Sequence, residues 1–156
     1  QIVKRELIAI PRLGVINIHP GLLPEFRGIQ PYFWELMTGH EWAGPSIHYI
    51  RDESVDTGEL LASARYRTWP GLSVQLNYYL TIRCAAELLP QVLRRIESGS
   101  VVPREQSDRG RYFGWPDSVS VTELRKRGHE LIRWRDLWAV LSGRYDSCSA
   151  EQEELF

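Results

Sequence analysis

The chain has 156 residues, 43% of them hydrophobic and 25% charged, the make-up of an ordinary soluble globular domain with enough material for one core. With 19 basic against 20 acidic residues and a formal charge of -1, there is no general field to hold a phosphate backbone or an anionic membrane, so neither nucleic acid nor membrane is an expected partner. No apolar run nears the roughly 20 residues needed to cross a bilayer. The pair Cys84 and Cys148 shows neither a disulfide-framework nor a zinc-knuckle spacing, and a reducing cytoplasm is the expected setting.

The run Gly14-Val15-Ile16-Asn17-Ile18 is β-branched and stops at His19-Pro20-Gly21, which predicts a buried strand that delivers a polar loop. Pro31 to Met37, with Pro in the first turn and Gly39 near the end, predicts a short helix. Ser46 to Ile50 alternates as a strand and Leu60 to Arg67 as its partner, leaving the acidic stretch Arg51 to Glu59 as the connection that holds Asp56 at a sheet edge. From Ser73 to Ser98, apolar residues recur every four positions at Leu76, Leu80, Cys84, Leu88, Val92 and Ile96, one face of a long helix capped by Ser73. Pro90 removes a backbone donor and is expected to kink or divide it near Leu89. Gln106 to Asp117 reads as a shaped surface loop whose Tyr112, Phe113 and Trp115 are packing anchors before they are a ring-stacking site. Two more helices are expected: one from Val119 or Ser120 to Ile132, opened by a Ser120/Glu123 capping box, and one from Trp134 to Leu141. The acidic tail from Ser147 to Phe156 is expected to fray.

Asn17 and His19 are two apart on a strand and so project from one face. A donor amide beside an imidazole suits acyl transfer, where the amide donates to a developing oxyanion and the histidine donates to it or moves a proton. Taken alone, the pair reads more simply as a turn residue and a satisfied core histidine. Asp56-Thr57-Gly58 reads as a carboxylate on a tight turn in which Gly58 permits a positive φ, and His48 on its strand reads first as a packing or hydrogen-bonding residue.

Asn-Ile-His-Pro-Gly-Leu-Leu-Pro-Glu-Phe-Arg-Gly at 17–28, with Pro31 and Trp34 after it, and then Ser-Val-Asp-Thr-Gly-Glu-Leu at 54–60, resembles the folate-dependent formyltransferases. That family includes the glycinamide ribonucleotide, methionyl-tRNA and sugar-nucleotide N-formyltransferases, and the resemblance spans about residues 7–100 through two motifs in order. It implies an α/β fold, the C-terminal half of a Rossmann-like, mostly parallel sheet with flanking helices over residues 1–100, followed by a loop and helical extension over 101–156. It implies that Asn17, His19 and Asp56 match the catalytic Asn, His and Asp, with 10-formyltetrahydrofolate as formyl donor and no metal. The acceptor so implied is a primary amine on a small molecule, such as an amino sugar nucleotide or an amino acid derivative. Asn17 and His19 would stabilise the oxyanion, while Asp56 would tune His19 and accept the amine's proton. Asp56, Thr57 and Gly58 would meet the folate, Arg27 and Gly28 the acceptor, with His48 in support; Arg27 is equally readable as a surface ion-pair partner.

Members of the family carry about a half-domain ahead of the Asn-x-His strand, where this chain has sixteen residues. The expectation is therefore a missing N-terminal half, a partner or a homo-oligomer that completes the folate pocket. Two other functions stay open: a formyltetrahydrofolate hydrolase using water as acceptor, and a catalytically idle binding or assembly module.

Overall fold

In the computed structural model of the chain, the described residues are 3–106, 110–145 and 150–156. A short helix α1 (Arg5–Ile8) precedes the β-branched run, which forms strand β1 (Val15–His19). The loop after it contains β2 (Phe26–Gly28) and leads into α2 (Pro31–Thr38), which has Pro31 in its first turn and Gly39 as C-cap. Next come β3 (Trp42–Ala43), β4 (Ser46–Ile50) and β5 (Leu60–Arg67), then the long helix α3 (Val74–Ser98). The remainder holds β6 (Arg111–Phe113), α4 (Ser118–Lys126), α5 (Trp134–Leu141) and β7 (Gln152–Leu155).

The architecture is mixed α/β, with a central sheet flanked by helices, and it corrects the expected direction of the strands. β4 pairs antiparallel with both β1 and β5, and β5 pairs antiparallel with β7 and, near its end, with β3. Parallel neighbours need a crossover of a dozen or more residues, usually a helix. The link from Arg51 to Glu59 is shorter and carries no helix, so β4 and β5 fold back on one another. Among the described residues the parallel pair is β2 with β6, in a separate two-stranded sheet.

β6 lies inside the segment expected to be a loop, and β7 inside the tail expected to fray, so both expectations are corrected. Each strand is short and lacks a periodic signature, and each is held by a partner remote in sequence. Phe113 of β6 stacks at 5.6 Å on Phe26 and at 4.9 Å on Trp34, while the Trp34 indole N–H donates to the Ile29 and Gly114 carbonyls. Phe113 is thus a packing anchor, and Tyr112 and Trp115 remain exposed.

α3 buries Leu76, Leu80, Cys84, Leu88 and Val92 against α2 and β5, with Ser73 Oγ accepting from the Leu76 N–H at 3.2 Å. It runs unbroken past Pro90, which lies on its exposed side, so Pro90 does not divide the helix. Cys84, expected to carry no disulfide, is disulfide-bonded; Cys148 lies outside the described residues. α4 is capped by Asp117, which accepts from the Ser120 N–H at 2.7 Å, and not by Ser120; it ends at Lys126, short of Ile132. Among the described residues no helix is long and apolar enough to cross a membrane.

Candidate functional site

β1 sets the first two side chains. Asn17 stands opposite His48 in the β1–β4 register, and His19, two residues on, shares the Asn17 face by strand alternation. His19 is buried and closes the strand before Pro20.

Asp56 arrives from the loop between β4 and β5. It takes a left-handed conformation itself, with φ +55, which corrects the expectation that Gly58 supplies the positive φ; Asp is one of the few L-residues that tolerate this region. Gly58 serves another purpose. A Cβ there would stand 1.8 Å from the Tyr49 carbonyl oxygen, so only glycine lets the loop press onto β4. Asp56 Oδ2 accepts from the Gly28 N–H at 2.9 Å, and Gln106 Nε2 donates to the carbonyls of Asp56 at 3.0 Å and Gly58 at 2.7 Å.

The four side chains then meet. Asn17 Nδ2 is 3.1 Å from His48 Nε2 and donates to Asp56 Oδ1 at 3.3 Å. Asp56 also stands 3.5 Å from His19 Nδ1 through Oδ2 and 3.5 Å from His48 Nε2 through Oδ1. Carbonyl oxygens fix the tautomers, because they can only accept. His19 Nε2 faces the Phe26 carbonyl at 2.7 Å and His48 Nδ1 faces the Tyr49 carbonyl at 2.8 Å. Each of these nitrogens therefore carries a proton, leaving His19 Nδ1 open toward Asp56 and His48 Nε2 open to accept from Asn17.

Burial pushes the His19 imidazole below its ordinary value, against the opposing pull of Asp56 and the Phe26 carbonyl, and His48 nearby adds to the lowering. Burial alone would raise the Asp56 carboxyl; donation from His48 and the charge of His19, each in its protonated form, and the Gly28 amide outweigh it and hold the group below the usual carboxylate range. The stable pairing is a neutral His19 beside an anionic Asp56.

These groups open on a cleft of about 690 Å³ lined by Asn17, His19, Gly28, His48, Asp56, Thr57 and Gly58 together with Gln106 and Tyr112. Arg27 is not part of that lining. Its guanidinium donates to Gln106 Oε1 from Nη2 at 3.1 Å, so it reaches the site indirectly. Gln106 and the Phe26 carbonyl had no signal in the sequence, the first lying in an irregular stretch and the second being main chain. Among the described residues no group of three or more His, Cys, Asp or Glu is placed to hold a metal ion.

A formyl transferase family model matches residues 1–93. The chain belongs to the formyl transferase family. This formyl transferase chain is 29% identical over 144 residues to the methionyl-tRNA formyltransferase of Clostridioides difficile, across 88% of its own length and 46% of that protein. It spans about half the length of the curated relatives it matches. Among solved structures it resembles the formyltransferase PseJ from Anoxybacillus kamchatkensis, with a TM-score of 0.67 and 20% identity over 95% of this chain and 69% of that one. It also resembles the N-formyltransferase from Helicobacter canadensis in complex with folinic acid and dTDP-3-aminofucose, with a TM-score of 0.65 and 19% identity over 73% of this chain and 42% of that one. At those identities the likeness to solved structures is one of fold.

Proposed function

We propose that the chain carries the reaction centre for transfer of a formyl group from 10-formyltetrahydrofolate to a primary amine on a small acceptor, an amino sugar nucleotide or an amino acid derivative. The observation that carries this reading is the convergence of Asn17, His19, His48 and Asp56 on one cleft in a chain of the formyl transferase family.

Each group has a part that its geometry suits. As the amine nitrogen attacks the formyl carbon, charge develops on the formyl oxygen, and Asn17 Nδ2 is the donor at hand. His19 Nδ1 takes the proton that the amine sheds, and the resulting imidazolium donates to Asp56 Oδ2. When the bond between the formyl carbon and the folate nitrogen breaks, His19 returns that proton to the departing nitrogen, so no net proton is gained or lost. Asp56 is anionic throughout and stabilises the charged histidine. The Asp56-Thr57-Gly58 turn borders the folate and Gly28 the acceptor.

The test follows the absorbance change as 10-formyltetrahydrofolate becomes tetrahydrofolate, with and without candidate amines. Amine-dependent turnover with a formylated product supports transfer. Formate without any formylated amine assigns the site to hydrolysis, and a folded protein that neither turns over nor binds folate by calorimetry overturns the reading.

A further inference from the structure

Glu35 lies in α2 with no exposure to solvent. A carboxyl so placed is costly unless its oxygens are satisfied. Its Oε1 accepts from the Leu22 N–H at 3.1 Å, its Oε2 accepts from Asn77 Nδ2 at 3.2 Å, and the Gly44 amide also donates to it. Asn77 is itself fixed, since its Nδ2 also donates to the Tyr32 carbonyl at 2.8 Å and its Oδ1 accepts from the Tyr66 hydroxyl at 2.8 Å. The carboxyl is therefore clamped from α3 and β5 on one side and grips the backbone of the loop after β1 on the other.

That loop sets the state of His19. The Leu22 amide bonded by Glu35 belongs to the peptide chain whose next polar group, the Leu22 carbonyl, accepts from the Phe26 N–H at 2.9 Å. The Phe26 carbonyl in turn accepts from His19 Nε2 at 2.7 Å. Gly21 rests against Pro31 so closely that a Cβ there would come within 2.2 Å of the Pro31 Cβ, which packs the loop against the start of α2.

We propose that Glu35 is a positioning residue: through Leu22 and Phe26 it holds His19 in the single tautomer that leaves Nδ1 facing Asp56. It touches neither substrate nor reacting atoms, and its value for turnover rests on the function proposed above. The placement of the proton on the ring does not depend on that function.

The test is the Glu35→Gln variant, which keeps the side-chain length but has an acceptor at only one end of its amide. Long-range proton–nitrogen NMR on the 15N-labelled protein reads the two ring nitrogens of each histidine, His19 being assigned by its loss in His19→Gln. The expected result is a wild-type His19 protonated on Nε2 alone and an E35Q His19 whose two nitrogens average toward each other. His129, bonded to the Leu72 carbonyl far along the chain, stays unchanged. With an amine acceptor found, kcat falls by about tenfold or more while KM stays within about twofold. A folded E35Q with wild-type His19 signals overturns the proposal. Should E35Q not fold, Glu35→Asp is read by the same criterion, and failure of both to fold assigns Glu35 to stability alone and overturns it. A wild-type protein without formyl transfer whose His19 tautomer still responds to E35Q would refute the proposed function and leave this inference standing.

Discussion

His19 Nε2 lies 2.7 Å from the Phe26 carbonyl oxygen, and that bond decides which face of the imidazole meets Asp56. A carbonyl cannot donate, so Nε2 keeps its proton and the exchangeable position is Nδ1. The ring nitrogen left open on His19 is thus set by a main-chain atom seven residues along the sequence.

The same burial makes His19 a source of acid sensitivity. In the unfolded chain its imidazole takes a proton around the ordinary value of 6.5, whereas burial holds the folded value lower. Between the two the unfolded state binds more protons, so stability falls as pH falls through that window. Asp56 acts in a separate window: its depressed folded value gives stability that is present above the ordinary 3.8 and lost as pH falls through the folded value. Urea denaturation from about pH 7 to about pH 5 is expected to show a falling midpoint in the wild type and a shallower fall in His19→Gln. Equal slopes in both would remove His19 as the cause.

Asp56→Asn removes the charge and retains the shape. Asn tolerates the left-handed backbone and its side-chain oxygen still accepts from the Gly28 amide. Formyl transfer is expected to fall by roughly 10²–10⁴-fold, the usual worth of a positioned acid–base group, and the melting temperature at neutral pH is expected to fall as well, because the stabilising charge is gone and an amide end meets the donor Asn17 Nδ2. A rate within tenfold of the wild type would take Asp56 out of the reaction.

At Gly28, φ is +102, and a Cβ would stand 2.2 Å from the Phe113 carbonyl oxygen. Gly28→Ala is expected to force β2 and β6 apart and to cost about 2–3 kcal/mol in a denaturation experiment. Because the Gly28 amide also holds Asp56, residual activity should fall further than the loss of folded protein explains. A variant as stable as the wild type would contradict the close approach.

Pro90 is exposed within an unbroken helix, where it denies a hydrogen bond to the carbonyl four residues earlier. Pro90→Ala restores that donor with no loss of packing and is expected to stabilise the protein by about 1–3 kcal/mol. A lower unfolding midpoint would mean that the proline is favoured by something other than the helix it sits in.

Local pattern was enough for β1, β4, β5, α2, α3 and α5, because alternation, a four-residue apolar stripe and capping residues act over a few neighbouring positions. That Asn17, His19 and Asp56 form a set was implied by the resemblance that two runs of sequence carry, and the fold brings the three side chains to one cleft. The short link from Arg51 to Glu59 already argues for an antiparallel β4–β5 pair, but the antiparallel pairing of β1 with β4 and of β5 with β7 came from the tertiary structure alone. Nor did the sequence disclose β6 or β7, which are too short to show a period and exist because Phe113 and Leu155 find partners against Phe26 and β5. The roles of Gln106, the Phe26 carbonyl and Glu35 belong to the tertiary structure alone: each acts across a gap in sequence on a single polar atom, and composition and periodicity carry no record of such a contact. The residue types at the cleft were written in the chain, but the proton's place on His19 was settled by a fold that brought one carbonyl against one ring nitrogen.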